Sequence, residues 1–100
     1  MRTRVLTVSA SIVLIGAATT ALACGPGTVA LIERMVSTQE PPRYRCGSQF
    51  NEMLARAQKK DWKGALAAYE AHLAQMGKWE AGSANASQTL AYLRRMAQAK

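Results

Sequence analysis

The chain is short of the residues most reaction centres need. It has one histidine, two cysteines and six carboxylates in 100 residues. His72 is the single imidazole, and the residues around it offer no Cys or second His at ligand spacing, so the sequence presents no zinc site. Cys24 and Cys46 do not form a Cys-x-x-Cys pair, which argues against a thioredoxin-type role. The acids Glu33, Glu40, Glu52, Asp61, Glu70 and Glu80 are scattered. Glu52 and Arg56 read as an ordinary i,i+4 ion pair, and Asp61 as a helix cap. No run alternates apolar and polar residues, and no Asn-Gly turn joins two such runs, so a sheet is not expected. These shortages point to a non-enzymatic protein with no metal and no cofactor.

What the chain has is apolar content and positive charge. Hydrophobic residues make up 49%, too many for a disordered tail. Thirteen Lys/Arg stand against six Asp/Glu, a net charge of +7. The apolar content is concentrated early. Arg2 and Arg4 precede an uncharged stretch, Val5 to Ala18, and Ala21-Leu22-Ala23 then places small residues before Cys24. This three-part layout is that of a bacterial-type secretory signal over residues 1–23. The apolar density fades through Gly16, Ala17, Ala18, Thr19 and Thr20, which disfavours a retained membrane anchor.

Cys24 has two readings. Ala21-Leu22-Ala23-Cys24 resembles a lipobox, in which the cysteine becomes the lipidated first residue of an outer-membrane lipoprotein. Ala21 stands where that motif usually has Leu, and Ala-x-Ala also suits ordinary signal peptidase. In an oxidising compartment two cysteines at this separation pair, so the favoured expectation is a Cys24–Cys46 disulfide in a soluble periplasmic protein. A bridge closing roughly twenty residues adds about 3 kcal/mol in the chain-entropy model. Loss of Arg2 and Arg4 leaves eleven Lys/Arg against the same six acids, a net charge of +5 over the single domain 24–100.

The rest of the pattern is helical. Cys24-Gly25-Pro26-Gly27 is a turn cluster, and Val29, Ile32, Met35 and Val36 mark a short helix over Thr28–Ser37. Pro41 and Pro42 stop it. Ser48 is the expected cap of a second helix reaching about Lys60, with Phe50, Met53, Leu54 and Ala57 on its apolar face. Asp61 caps a third, Trp62 to Met76, whose stripe is Trp62, Ala65, Leu66, Tyr69, Leu73 and Met76, with Gly77 as its stop. His72 then falls on the half-exposed polar face. Lys78 to Ser87 reads as a polar loop around Trp79, and Ser87 as the cap of a last helix with Leu90, Leu93, Met96 and Ala97 inward. The expected fold is an all-α bundle of three to four small helices. Asn85-Ala86-Ser87 matches the glycosylation triplet and is taken as a chance match in a bacterial-type chain.

Residues 50–76 carry one recognisable arrangement. Asp61, Trp62, Ala65, Tyr69 and Leu73 stand where the tetratricopeptide-repeat family has an acidic residue, an aromatic, a small residue, a second aromatic and an apolar residue in its second helix. The segment resembles the centre of such a repeat. His72 departs from the pattern at a place that is usually small, and Met53 falls where the first helix expects a small residue. The resemblance implies a helical hairpin and a role in holding peptides or partner proteins without catalysis.

Three basic clusters remain: Arg43 with Arg45, Lys59 and Lys60 with Lys63, and Arg94 with Arg95. Tyr44 separates the first pair. Basic clusters with interleaved aromatics suit nucleic acid in a cytosolic protein, but export argues for other anions of the envelope or for a solvated face. Trp79 is either a lid on the helices or an exposed contact anchor. The expectation is an exported envelope protein acting by protein–protein contact through Trp79 and the Arg43–Tyr44–Arg45 segment, as accessory to an envelope or secretion assembly. The alternatives are an outer-membrane lipoprotein tethered at Cys24 and, last, a secreted membrane-active toxic protein.

Overall fold

The structure, a computed structural model, describes residues 26–99. The expected secretory segment 1–23 and Cys24 lie outside the described residues. The fold is all-α: α1 Thr28–Thr38, α2 Ser48–Gln58, α3 Trp62–Met76, α4 Lys78–Ala81 and α5 Ala84–Gln98.

α2 and α3 form a tight hairpin. Phe50, near the start of α2, meets His72, near the end of α3, at a ring-centroid distance of 5.2 Å, so the two helices run antiparallel. The turn between them is built from backbone. Lys60 N–H donates to the Ala57 carbonyl at 2.9 Å and Asp61 N–H to the Arg56 carbonyl at 2.9 Å, a Schellman closure with Lys60 left-handed at φ 64°. Asp61 then starts α3, its Oδ1 accepting from Gly64 N–H at 3.1 Å. Arg56 braces the turn, donating to Asp61 Oδ2 at 2.8 Å and to Glu52 Oε2 at 2.7 Å. The apolar face of α2 is as expected: Phe50, Met53, Leu54 and Ala57 are all buried.

α5 packs on α3, and α1 spans α2 and α5. Trp62 of α3 meets Tyr92 of α5 edge to face at 6.0 Å. The start of α1 is held from across the bundle. Asn85 Oδ1 accepts from Thr28 N–H at 3.1 Å, and Asn85 Nδ2 donates to Thr28 Oγ1 at 2.9 Å. Thr28 is buried without penalty because α5 supplies this polar match. The end of α1 is tied to α2 by Gln58, whose Nε2 donates to the carbonyls of Met35 at 3.0 Å and Glu40 at 2.6 Å.

Four expectations are corrected. Lys78–Ser87 is not a loop: it contains α4 and the start of α5. The cap of α5 is Ser83, whose Oγ accepts from Ala86 N–H at 3.0 Å, and Ser87 lies exposed inside the helix. The buried face of α5 is Ala86, Thr89, Tyr92 and Leu93, with Leu90 and Met96 only partly covered. Ser48 is the first helical residue of α2, and Gly47 holds the cap position at φ 115°, ψ 162°, a conformation open essentially to glycine.

Candidate functional site

α4 begins where α3 cannot continue. Gly77, at φ 91° and ψ −175°, donates to the Leu73 carbonyl at 3.2 Å and turns the chain out of the helix. Lys78–Ala81 then makes a single turn, closed by Ala81 N–H to Gly77 O at 3.1 Å and Gly82 N–H to Lys78 O at 2.9 Å. A side chain at Gly82 would stand 3.2 Å from the Lys78 carbonyl, so the tight exit from this turn favours glycine. α4 buries none of its residues.

Trp79 is therefore presented to solvent at 95% exposure. It is not a lid. Among the described residues the other large hydrophobic side chain standing exposed is Met76, at 46%, three residues earlier. Met76 was expected on the inner stripe of α3, but it stands exposed as the last residue of that helix. Lys78 beside Trp79 is exposed and Glu80 is half-buried.

The Arg43–Tyr44–Arg45 segment divides in two. Tyr44 is a structural residue: its N–H donates to Asn51 Oδ1 at 2.9 Å, and Asn51 Nδ2 returns a bond to its carbonyl at 2.8 Å. Its ring stands edge-on to Phe50 at 6.4 Å, and its hydroxyl accepts from Arg34 Nη2 at 3.0 Å. Arg43 and Arg45 on either side are exposed. Because α2 and α3 are antiparallel, the start of α2, which Arg45 precedes, lies at the same end of the bundle as the end of α3, which Trp79 follows. The starts of α1 and α5 join them there through the Asn85–Thr28 pair. At that end Pro26, Gly27, Glu80, Ser83, Asn85 and Gln88 line an open hollow of about 320 Å³.

Cys46 is buried just before α2. Its expected partner Cys24 lies outside the described residues. His72, expected at half exposure, is instead 1% exposed. It lies between the rings of Phe50 and Tyr69, with Tyr69 at 5.8 Å, and neither ring nitrogen has a hydrogen-bond partner among the described residues. Burial pushes its pKa below the ordinary histidine value. The Tyr69 hydroxyl is buried and unpartnered in the same way, and burial pushes its pKa up.

Elsewhere, an open groove of about 480 Å³ runs over Gly64, Ala67 and Ala68 beside the Glu52–Arg56 pair. Arg56 there binds both Glu52 and Asp61, and Ser48 and Gln49 also line the groove. Among the described residues no three His, Cys, Asp or Glu side chains could hold a metal ion, and no helix is long and apolar enough to cross a membrane. No family model, curated protein or solved structure matches the chain.

Proposed function

We propose that the chain is a small exported protein of the bacterial envelope that acts by protein–protein contact, without catalysis, and that Trp79 is its anchor. One observation carries the reading: a tryptophan at 95% exposure, on a helical turn that buries nothing, between two glycines that set the turn apart from the core. An indole left in water forgoes the burial that an internal position would supply, and truncating an aromatic anchor at an interface costs about 2 kcal/mol or more of binding. Met76 and Lys78 flank Trp79 along the chain, and Arg45 lies at the same end of the bundle, an apolar neighbour and positive charges for such a contact. The tetratricopeptide-like hairpin is the scaffold that carries this end.

The Cys24–Cys46 disulfide belongs to the same proposal. Cys24 precedes Thr28 by four residues, and Cys46 precedes Ser48 by two. The starts of α1 and α2 share one end of the bundle, and four residues of chain reach at most about 14 Å. These facts support the pairing. A lipid on Cys24 would instead tether the Trp79 end to the membrane, and intact mass of the processed protein separates the two: loss of two hydrogens for the disulfide, gain of a diacylglyceryl and a fatty acid for the lipoprotein.

Trp79→Ala tests the anchor. The variant should keep its helicity and melting temperature, since an exposed side chain contributes within about 0.5 kcal/mol to stability. It should lose a cross-link placed at residue 78 to a specific envelope protein that the parent captures. A folded variant that keeps the cross-link rejects Trp79 as the anchor.

A further inference from the structure

His72 occupies an interior position that suits it only when neutral. Its ring fills a slot between Phe50 of α2, at 5.2 Å, and Tyr69 of its own helix, at 5.8 Å. Neither Nδ1 nor Nε2 has a partner among the described residues. An imidazolium there would place a full charge and two N–H donors against aromatic rings, with no acceptor for either.

Of the ionisable groups on the elements around the slot, one carboxylate favours a charge on the ring. α2 presents Phe50, and its ions Glu52 and Arg56 are bound to each other and to Asp61 at the far turn. α3 presents the Tyr69 hydroxyl, and its exposed Glu70 faces Arg94 of α5 at 3.9 Å. From the connection before α2, Tyr44 also stands edge-on to Phe50, its hydroxyl committed to Arg34 and Met35. α4 supplies Glu80, the carboxylate whose field favours a charge on His72. Lys78 of the same turn is exposed to water. α4 is also the element held least firmly, since it buries none of its residues.

We propose that His72 is an acid-sensitive latch: its protonation drives the ring out of the Phe50–Tyr69 slot toward the Glu80 carboxylate, loosening the end of α3 and α4, and so changes how Trp79 is presented. The consequence for binding rests on the reading of Trp79 as the contact residue; the latch itself is a property of the fold alone. The sign follows from burial. The closed state holds the imidazole pKa below its ordinary value of about 6.5, so above that pH both states are neutral and the latch is shut. As pH falls below about 6.5 the open state takes the proton first, and the closed-to-open ratio drops by up to tenfold per pH unit until the closed-state pKa is reached.

The test is amide hydrogen exchange on the processed protein, read by NMR from about pH 7.5 to 4.5, the interval in which histidine titrates. After correction for intrinsic exchange, protection at residues 77–82 should fall up to tenfold per unit below about pH 6.5, with residues 48–58 still protected. His72→Phe and His72→Leu, one aromatic and one smaller, should remove that response. Glu80→Gln should move it to lower pH, because it removes the charge that draws the imidazolium out. An unchanged acid response in either folded His72 variant would assign it to groups other than His72 and overturn the proposal. So would titration of the His72 ring protons at an ordinary pKa with no change at residues 77–82. Partner capture plays no part in this readout, so failure of the latch and failure of the Trp79 contact are separately visible.

Discussion

Replacing Ala65 by leucine should destabilise the protein, whereas the same change two residues on, at Ala67, should not. Ala65 is 0% exposed and lies in the first turn of α3, next to the hairpin turn, while Ala67 stands exposed over the open α2–α3 groove. Leucine adds three carbons. Were there room, burying them would stabilise by about 2 kcal/mol at roughly 0.8 kcal/mol per methylene. The hairpin leaves none: Ala57 on α2 is as completely buried as Ala65, and both helices are pinned at the turn by the Schellman bonds and the Asp61 cap. The added atoms must push the helices apart or take poor rotamers, a net cost of about 1–3 kcal/mol. For a domain of this size each kcal/mol lowers Tm by roughly 4–8 °C. At Ala67 the leucine enters solvent, and its effect should stay within about 0.5 kcal/mol. Urea and thermal unfolding of both variants, followed by far-UV circular dichroism, make the comparison. Equal losses at the two sites would mean that the face of α3 turned toward α2 is not the one described.

Asn85→Ala should cost about 0.5–2 kcal/mol, the usual range for a lost helix cap, although Asn85 lies 57 residues from Thr28, whose N–H it caps; urea titration reads the loss, and an unchanged midpoint would show that the Asn85–Thr28 pair carries no stability. Cys46→Ser should lower stability by about 2–5 kcal/mol under oxidising conditions, with the parent falling to the same level on reduction. A parent that melts identically with and without reductant would remove the disulfide from the proposal.

The hairpin was legible because each of its signals is local. The spacing of Phe50, Met53, Leu54 and Ala57 marks one helical face whatever lies opposite, and Asp61 caps α3 with a bond reaching three residues. Trp79 stood out as the single large apolar residue between Gly77 and Leu90, but its exposure was not legible. Whether an indole folds back or stands out depends on what the turn around it faces. His72 was assigned to the polar face by its chemistry. Its burial comes from the Phe50 ring of α2 packing over it, which the helical period of α3 does not reveal.

By itself the sequence determined that the chain is helical, where most helices begin and end, and which residues of α2 turn inward, with Ala65, Tyr69 and Leu73 of α3. These follow from a repeat of 3.6 residues, from capping side chains and from glycines, all of which act within a few residues. Tertiary structure decided the rest. α5 shows its Ala86–Thr89–Tyr92–Leu93 face to the core because it must serve α3 and α1 at once, and Thr89 can be buried there because its hydroxyl donates to the Asn85 carbonyl at 2.7 Å. Asn85 becomes a cap because the start of α1 lands beside it. Burial of His72 and exposure of Trp79 have the same origin: a side chain's environment is set by the elements that pack over it, and those come from parts of the chain that local pattern does not connect.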